Sequence, residues 1–149
     1  MSEQQSFEKR VIELQSELKA PKNQYNSFGK YKYRNQEDIL EALKPLLKKY
    51  DLGLTITDEV KEVGGLVFIE ARAILHAEGN SVEAKAQAGI DPNRKGMDIS
   101  QTFGSSSSYA RKYALNGLLL IDDTKDADSK DNSTSNAAPR AAKSTSNPF

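Results

Sequence analysis

Cysteine and tryptophan are both absent from this 149-residue chain, and histidine occurs once, as His76. Without cysteine there is no disulfide, no thiol nucleophile and no cysteine-ligated zinc site, and the chain fits a reducing compartment. One histidine rules out a multi-histidine metal centre, though not a catalytic triad. His76 ends an extended stretch beside a turn, the usual place of a surface or edge histidine. No apolar run approaches the ~18 residues of a membrane-spanning helix, and the polar start MSEQQSFEKR does not read as a signal peptide. Net charge is missing too: 21 Lys+Arg balance 21 Asp+Glu. That excludes a globally basic nucleic-acid binder but leaves room for a locally basic one. The phosphate-loop pattern GxxxxGK[ST] does not occur, so ATP-driven recombinase or helicase chemistry of that type is not expected; GxSxG and GxGxxG are absent as well.

What is present is patterned as an α+β domain over residues 1–121, followed by a polar tail over 122–149. Phe7, Val11, Leu14 and Leu18 share one face of a helix over 6–19, with Ser6 as N-cap and Pro21 ending it. That narrow seam can pack on the domain or on a neighbouring subunit. Residues 22–34 hold the turn-formers Asn23, Asn26, Ser27 and Gly29, then a short extended piece over 30–34. A second helix over 35–50 opens on Asn35 and Asp38, a partial capping box, and carries Pro45, where a kink or boundary is expected.

Three alternating stretches, 52–61, 66–76 and 81–90, are separated by Gly-containing turns and predict an antiparallel meander. One face is apolar and needs a helix to cover it. The cover is a third helix over 98–115, capped by Asp98 and Gln101 and ending at Asn116-Gly117. Its inner side is expected to carry Ile99, Phe103, Ser106, Ala110, Tyr113 and Ala114. Gln101, Ser105, Ser108 and Lys112 are expected outside, with Arg111 on a flank. The tail, rich in Asp, Ser, Thr, Asn and Ala, cannot bury enough apolar surface to offset its chain entropy and is expected to be disordered.

Charge is uneven within this neutral chain. Between Glu17 and Glu37 stand Lys19, Lys22, Lys30, Lys32 and Arg34 and no acid. Tyr25, Phe28, Tyr31 and Tyr33 are interleaved with them. Cations bind a phosphate chain through counterion release, and aromatic rings stack unpaired bases without reading sequence. The competing reading is a loop anchored by its tyrosines, with solvated lysines. Arg94-Lys95 before the third helix and Arg111-Lys112 near its end, with Ser105–Ser108 between, form a second candidate. Asp122, Asp123, Asp126 and Asp128 form an acidic cluster that could hold Mg²⁺ for nuclease chemistry, although its spacing does not fit a calcium loop. The terminal Asn147-Pro148-Phe149 offers an apolar tip on the tail.

Two segments carry a resemblance. Tyr31-Lys32-Tyr33-Arg34, followed by Glu37-Asp38-Ile39-Leu40 and Leu43-Lys44-Pro45-Leu46-Leu47, resembles the opening of the ERF (essential recombination function) family of phage single-strand annealing proteins. Gly104, Tyr109-Ala110-Arg111-Lys112-Tyr113-Ala114-Leu115, Ile121-Asp122-Asp123 and Asp126-Ala127-Asp128 resemble its closing segment. The resemblance implies a β-β-β-α core and ATP-independent binding and annealing of single-stranded DNA in recombination. It lends weight to Tyr31, Lys32, Tyr33, Arg34, Tyr109, Arg111 and Lys112. With Lys30, Arg94 and Lys95 these are the expected DNA-binding residues. No enzyme activity, cofactor or membrane association is expected. The expected partners are single-stranded DNA, further copies of the chain in a ring or filament, and host or phage recombination or replication proteins held by the tail. The expected location is the cytoplasm, that of the host cell if a phage encodes the chain. The rival readings are an adaptor working through its tail and a metal-dependent nuclease.

Overall fold

In the computed structural model, which describes residues 5–93 and 95–121, the elements follow in the order α1 (Phe7–Glu17), β1 (Gln24–Asn26), β2 (Tyr31–Tyr33), α2 (Gln36–Tyr50), β3 (Gly53–Val63), β4 (Leu66–Ala77), β5 (Asn80–Gly89) and α3 (Ile99–Leu119). They fall into two compact units. Residues 5–21 and 35–121 carry the three helices and the sheet β3-β4-β5, and residues 22–34 carry the β1–β2 hairpin.

The larger unit is an antiparallel meander with helices on one face. Both of its turns are two residues long, Gly64-Gly65 and Glu78-Gly79, with φ of 58°, 84°, 49° and 83°. Two successive positive φ values match the right-handed twist of the strands they join, which is why glycine recurs there. The register pairs Leu54 with Leu75, Ile56 with Ala73, and Ala73 with Ala84. It therefore puts Ile69, Ala71, Ala73 and Leu75 of β4 on the covered face, all buried. The alternation in the sequence specified that face, because a one-residue slip would invert it.

The caps follow the side-chain chemistry. Asn35 and Asp38 bond each other's backbone N–H at 2.9 Å, completing the box at the start of α2. Asp98 and Gln101 do the same for α3, at 3.0 and 2.8 Å. Ser6 Oγ accepts from Lys9 N at 3.2 Å at the start of α1. Helix α2 runs on through Pro45, so of the kink or boundary expected there, no boundary forms. Helix propagation on both sides and the burial of Ile39 and Leu43 outweigh the one backbone bond that proline removes.

Helix α1 packs on its own domain. Leu14 is fully buried, and the guanidinium of Arg10 bolts the helix down. Arg10 Nη1 donates to the carbonyls of Tyr50 and Asp51 at 3.1 and 3.0 Å, and Nη2 pairs with Glu78 in the β4–β5 turn. Gln15 Nε2 reaches the Leu118 carbonyl at 2.8 Å.

Helix α3 departs from expectation in two ways. It does not stop at Asn116-Gly117 but continues to Leu119, ending on Leu120 in the left-handed region at φ 59°. Leu115, Leu118 and Leu119 are buried, so the extra turn is held by packing. The buried residues are also displaced around the helix. Thr102, Ser106, Ala110, Ala114 and Leu118 form the i+4 row against the sheet, while Ile99 and Tyr113, expected inside, are exposed. A second flank is covered as well, since α2 packs on α3. Among the described residues no helix is long and apolar enough to cross a membrane. The expected disorder of the tail concerns residues 122–149, which lie outside the described residues.

Candidate nucleic-acid interface

The hairpin is built by its own polar side chains. The register pairs Gln24 with Tyr33, Tyr25 with Lys32 and Asn26 with Tyr31. Asn26 holds the turn from inside: its Oδ1 accepts from Gly29 N at 2.9 Å, its carbonyl accepts from Lys30 N at 2.7 Å, and its Nδ2 donates to the Tyr31 hydroxyl at 3.0 Å. Gly29 is required here, because a Cβ would stand 2.5 Å from the Tyr31 ring. Lys30 takes the left-handed conformation at φ 59°.

Directly opposed residues project to the same side of an antiparallel pair, so the hairpin has two chemically different sides. One carries Tyr31 and Tyr33, both half-buried, with ring centroids 5.9 Å apart and planes tilted by 56°. The other carries Tyr25 and Lys32, both exposed. At the tip Phe28 is 97% exposed. The side chains of Lys30 and Lys32 are exposed and form no ion pair among the described residues. Arg34, at the base, is buried. The extended piece expected over 30–34 is thus one strand of a hairpin whose first strand, β1, the sequence did not disclose. The three-residue strand Gln24–Asn26 is too short for an alternation signal.

On the larger unit the expected cations stand in different surroundings. Lys95 is exposed in the loop before α3. Arg111 points along α3 toward β3, where its Nε lies 3.1 Å from Asp58 Oδ1. Asp58 also accepts a bond from the Ser107 hydroxyl. Lys112, expected on the outer side of α3, is buried, at 9% exposure. At about 100° per residue it lies on the side of α3 that also carries the buried Leu115 and Leu119. Tyr109 and Tyr113 stack on the exposed strip of the same helix, centroids 6.2 Å apart and planes 28° from parallel. Tyr113 belongs with Tyr109 in this pair; their i, i+4 spacing was the available signal.

The uncovered face of the sheet is internally neutralised. Lys61 Nζ lies 2.8 Å from Glu70 and Arg72 Nε lies 3.5 Å from Glu83. Hydrogen bonds from Lys61 and then Gln87 hold the Glu70 carboxyl below its ordinary value, and the bond to Glu70 raises Lys61. A shallow cleft of about 320 Å³ at this edge is lined by Thr57, Asp58, Glu59, Glu70 and Arg72. Its three carboxylates disfavour a phosphate. Of the cations expected to bind DNA, Lys30, Lys32 and Lys95 are the ones that are exposed and have no carboxylate partner among the described residues.

Arg94, the acidic cluster Asp122, Asp123, Asp126 and Asp128, and the tip Asn147-Pro148-Phe149 all lie outside the described residues. Among the described residues no cluster of three or more His, Cys, Asp or Glu side chains is placed to hold a metal ion.

A family model, that of the ERF superfamily, matches residues 7–148. The chain is similar to the essential recombination function protein of Salmonella phage P22, with 54% identity over 134 residues. That similarity covers 89% of this chain and 64% of the phage protein, so the chain spans less than two thirds of the relative's length. No solved structure matches it.

Proposed function

The chain belongs to the ERF superfamily, and from that premise we propose that it is a recombination protein that binds single-stranded DNA and anneals complementary strands without ATP. The observation that carries this reading is the hairpin: two exposed cations, Lys30 and Lys32, with no ion-pair partner among the described residues, beside exposed rings at Tyr25 and Phe28, in a segment without a single acid. A single strand presents both handles at once, phosphates to the lysines and base faces to the rings. A duplex presents phosphates but hides its base faces.

The mechanism is positional and needs no covalent step. Cations lower the repulsion between two phosphate chains as they approach. Aromatic side chains hold bases out of self-structure so that complementary edges can meet. Repetition of the hairpin across copies of the chain multiplies weak contacts into lasting ones. Tyr31, Tyr33, Arg34, Tyr109, Arg111 and Lys112 remain candidates for DNA binding by motif, and Lys95 by its exposed charge. Asp58 limits what Arg111 offers a phosphate, and burial limits Lys112. The name of the phage P22 relative, an essential recombination function protein, supports a recombination role.

The test is a fluorescence assay of two complementary labelled strands with the full chain and no nucleotide. Acceleration of pairing, together with a mobility shift on either strand alone, is the expected result. If neither strand is bound and pairing proceeds at its spontaneous rate, the reading is wrong.

A further inference from the structure

Phe28 buries almost none of its surface in the folded chain. It is 97% exposed, and a phenyl ring has no polar atom with which to hold water or phosphate. A singly exposed apolar residue is ordinary on a protein surface; what distinguishes this one is that its turn is braced. Three hydrogen bonds converge on Asn26, from Gly29 N, from Lys30 N and to the Tyr31 hydroxyl. The Tyr31 ring lies against Gly29, and Lys30 adopts φ 59°, a conformation that non-glycine residues adopt only at a cost. The hairpin thus has a set shape that projects one ring into solvent, flanked by the charge of Lys30, which has no ion-pair partner among the described residues.

Resting on the single-strand reading above, we propose that Phe28 is a base wedge: its ring enters the gap between neighbouring unpaired bases of a bound strand. The occupant follows from charge and shape. The surrounding segment is acid-free and cationic, which favours a polyanion over an apolar protein pocket, and the only flat apolar surfaces on a polyanionic strand are its bases. In a duplex the same insertion requires unstacking, so the wedge favours single strands. Lys30 and Lys32 then supply attraction that depends on salt, and Phe28 supplies attraction that depends on bases.

The test uses the full chain, a fluorescent single strand, and an abasic strand of equal length with the same phosphates. Because the protein contains no tryptophan, Phe28→Trp also places a unique indole at the tip. Phe28→Ala is expected to weaken binding to the ordinary strand roughly tenfold, to leave the salt slope unchanged, and to leave abasic binding unchanged. The indole of Phe28→Trp is expected to be quenched by the ordinary strand and not by the abasic one. If Phe28→Ala matches the wild type on the ordinary strand, or weakens both strands equally, or the indole is not quenched, the wedge is overturned while single-strand binding stands. If Phe28→Ala changes the size of the DNA-free protein by light scattering, the ring is covered by another copy and the wedge is likewise overturned. If the wild type binds neither strand, the functional reading itself fails.

Discussion

Replacing Lys30 and Lys32 together tests the electrostatic argument where it is sharpest. Lys30→Asn suits the left-handed backbone at φ 59°, since asparagine tolerates that region better than most residues. Lys32→Gln keeps a similar side-chain length on an exposed strand position. Each cation that neutralises a phosphate on a single strand contributes about 0.7 to the slope of log affinity against log salt. Because neither lysine has an acidic partner among the described residues, both contribute fully. The double variant should therefore flatten the slope by about 1.4 and weaken binding about 25-fold at 0.1 M salt, extrapolating from a 1 M reference. Arg111→Ala is the internal contrast. Its guanidinium already stands 3.1 Å from Asp58, so its loss should flatten the slope by well under ~0.7. Fluorescence anisotropy over a salt series reads both numbers, and urea midpoints confirm that the variants remain folded. If the hairpin double variant keeps the wild-type slope, or Arg111→Ala flattens it more than the pair does, the reasoning fails.

Three further outcomes concern the scaffold. Arg10→Met keeps the bulk of the side chain but leaves the Tyr50 and Asp51 carbonyls and Glu78 without their buried donor, and should cost about 2–3 kcal/mol in urea unfolding; a loss near zero would mean that α1 is not anchored as described. Asp98→Ala removes the acceptor for Gln101 N at the start of α3 and should cost about 1 kcal/mol, read from the shift in the urea midpoint. Glu17 is held below its ordinary value of 4.5 by hydrogen bonds from Tyr50 and then Lys49. A carboxyl with a depressed folded-state value stabilises the fold above 4.5 and loses that contribution as pH falls below it. The stability gap between wild type and Glu17→Gln should therefore narrow as pH falls below 4.5; a gap that stays constant into acid would contradict the assignment.

The order of the three helices and the three meander strands, both capping boxes and the buried face of β4 were legible along the chain, because each rests on spacing within one element or one turn. Alternation selects a strand face, and an Asx or Gln three residues along selects a helix start. The basic aromatic character of residues 22–34 was equally legible as composition. Its hairpin was not, since β1 is three residues long and its register depends on Asn26 bonding across the turn.

The candidate site on α3 shows where such reading runs out. Periodicity says which residues of a helix share a side; it does not say how many neighbours cover the helix. With the sheet under one side and α2 against another, Lys112 is buried and Tyr113 is exposed, the reverse of what one covered face implies. Arg111 meets Asp58 from 53 positions away, and that meeting depends on β3 lying where α3 crosses it. Free and neutralised cations look alike in a sequence. They differ only once folding has brought a carboxylate within reach, and a charge within hydrogen-bond distance of its opposite has little left to offer a phosphate.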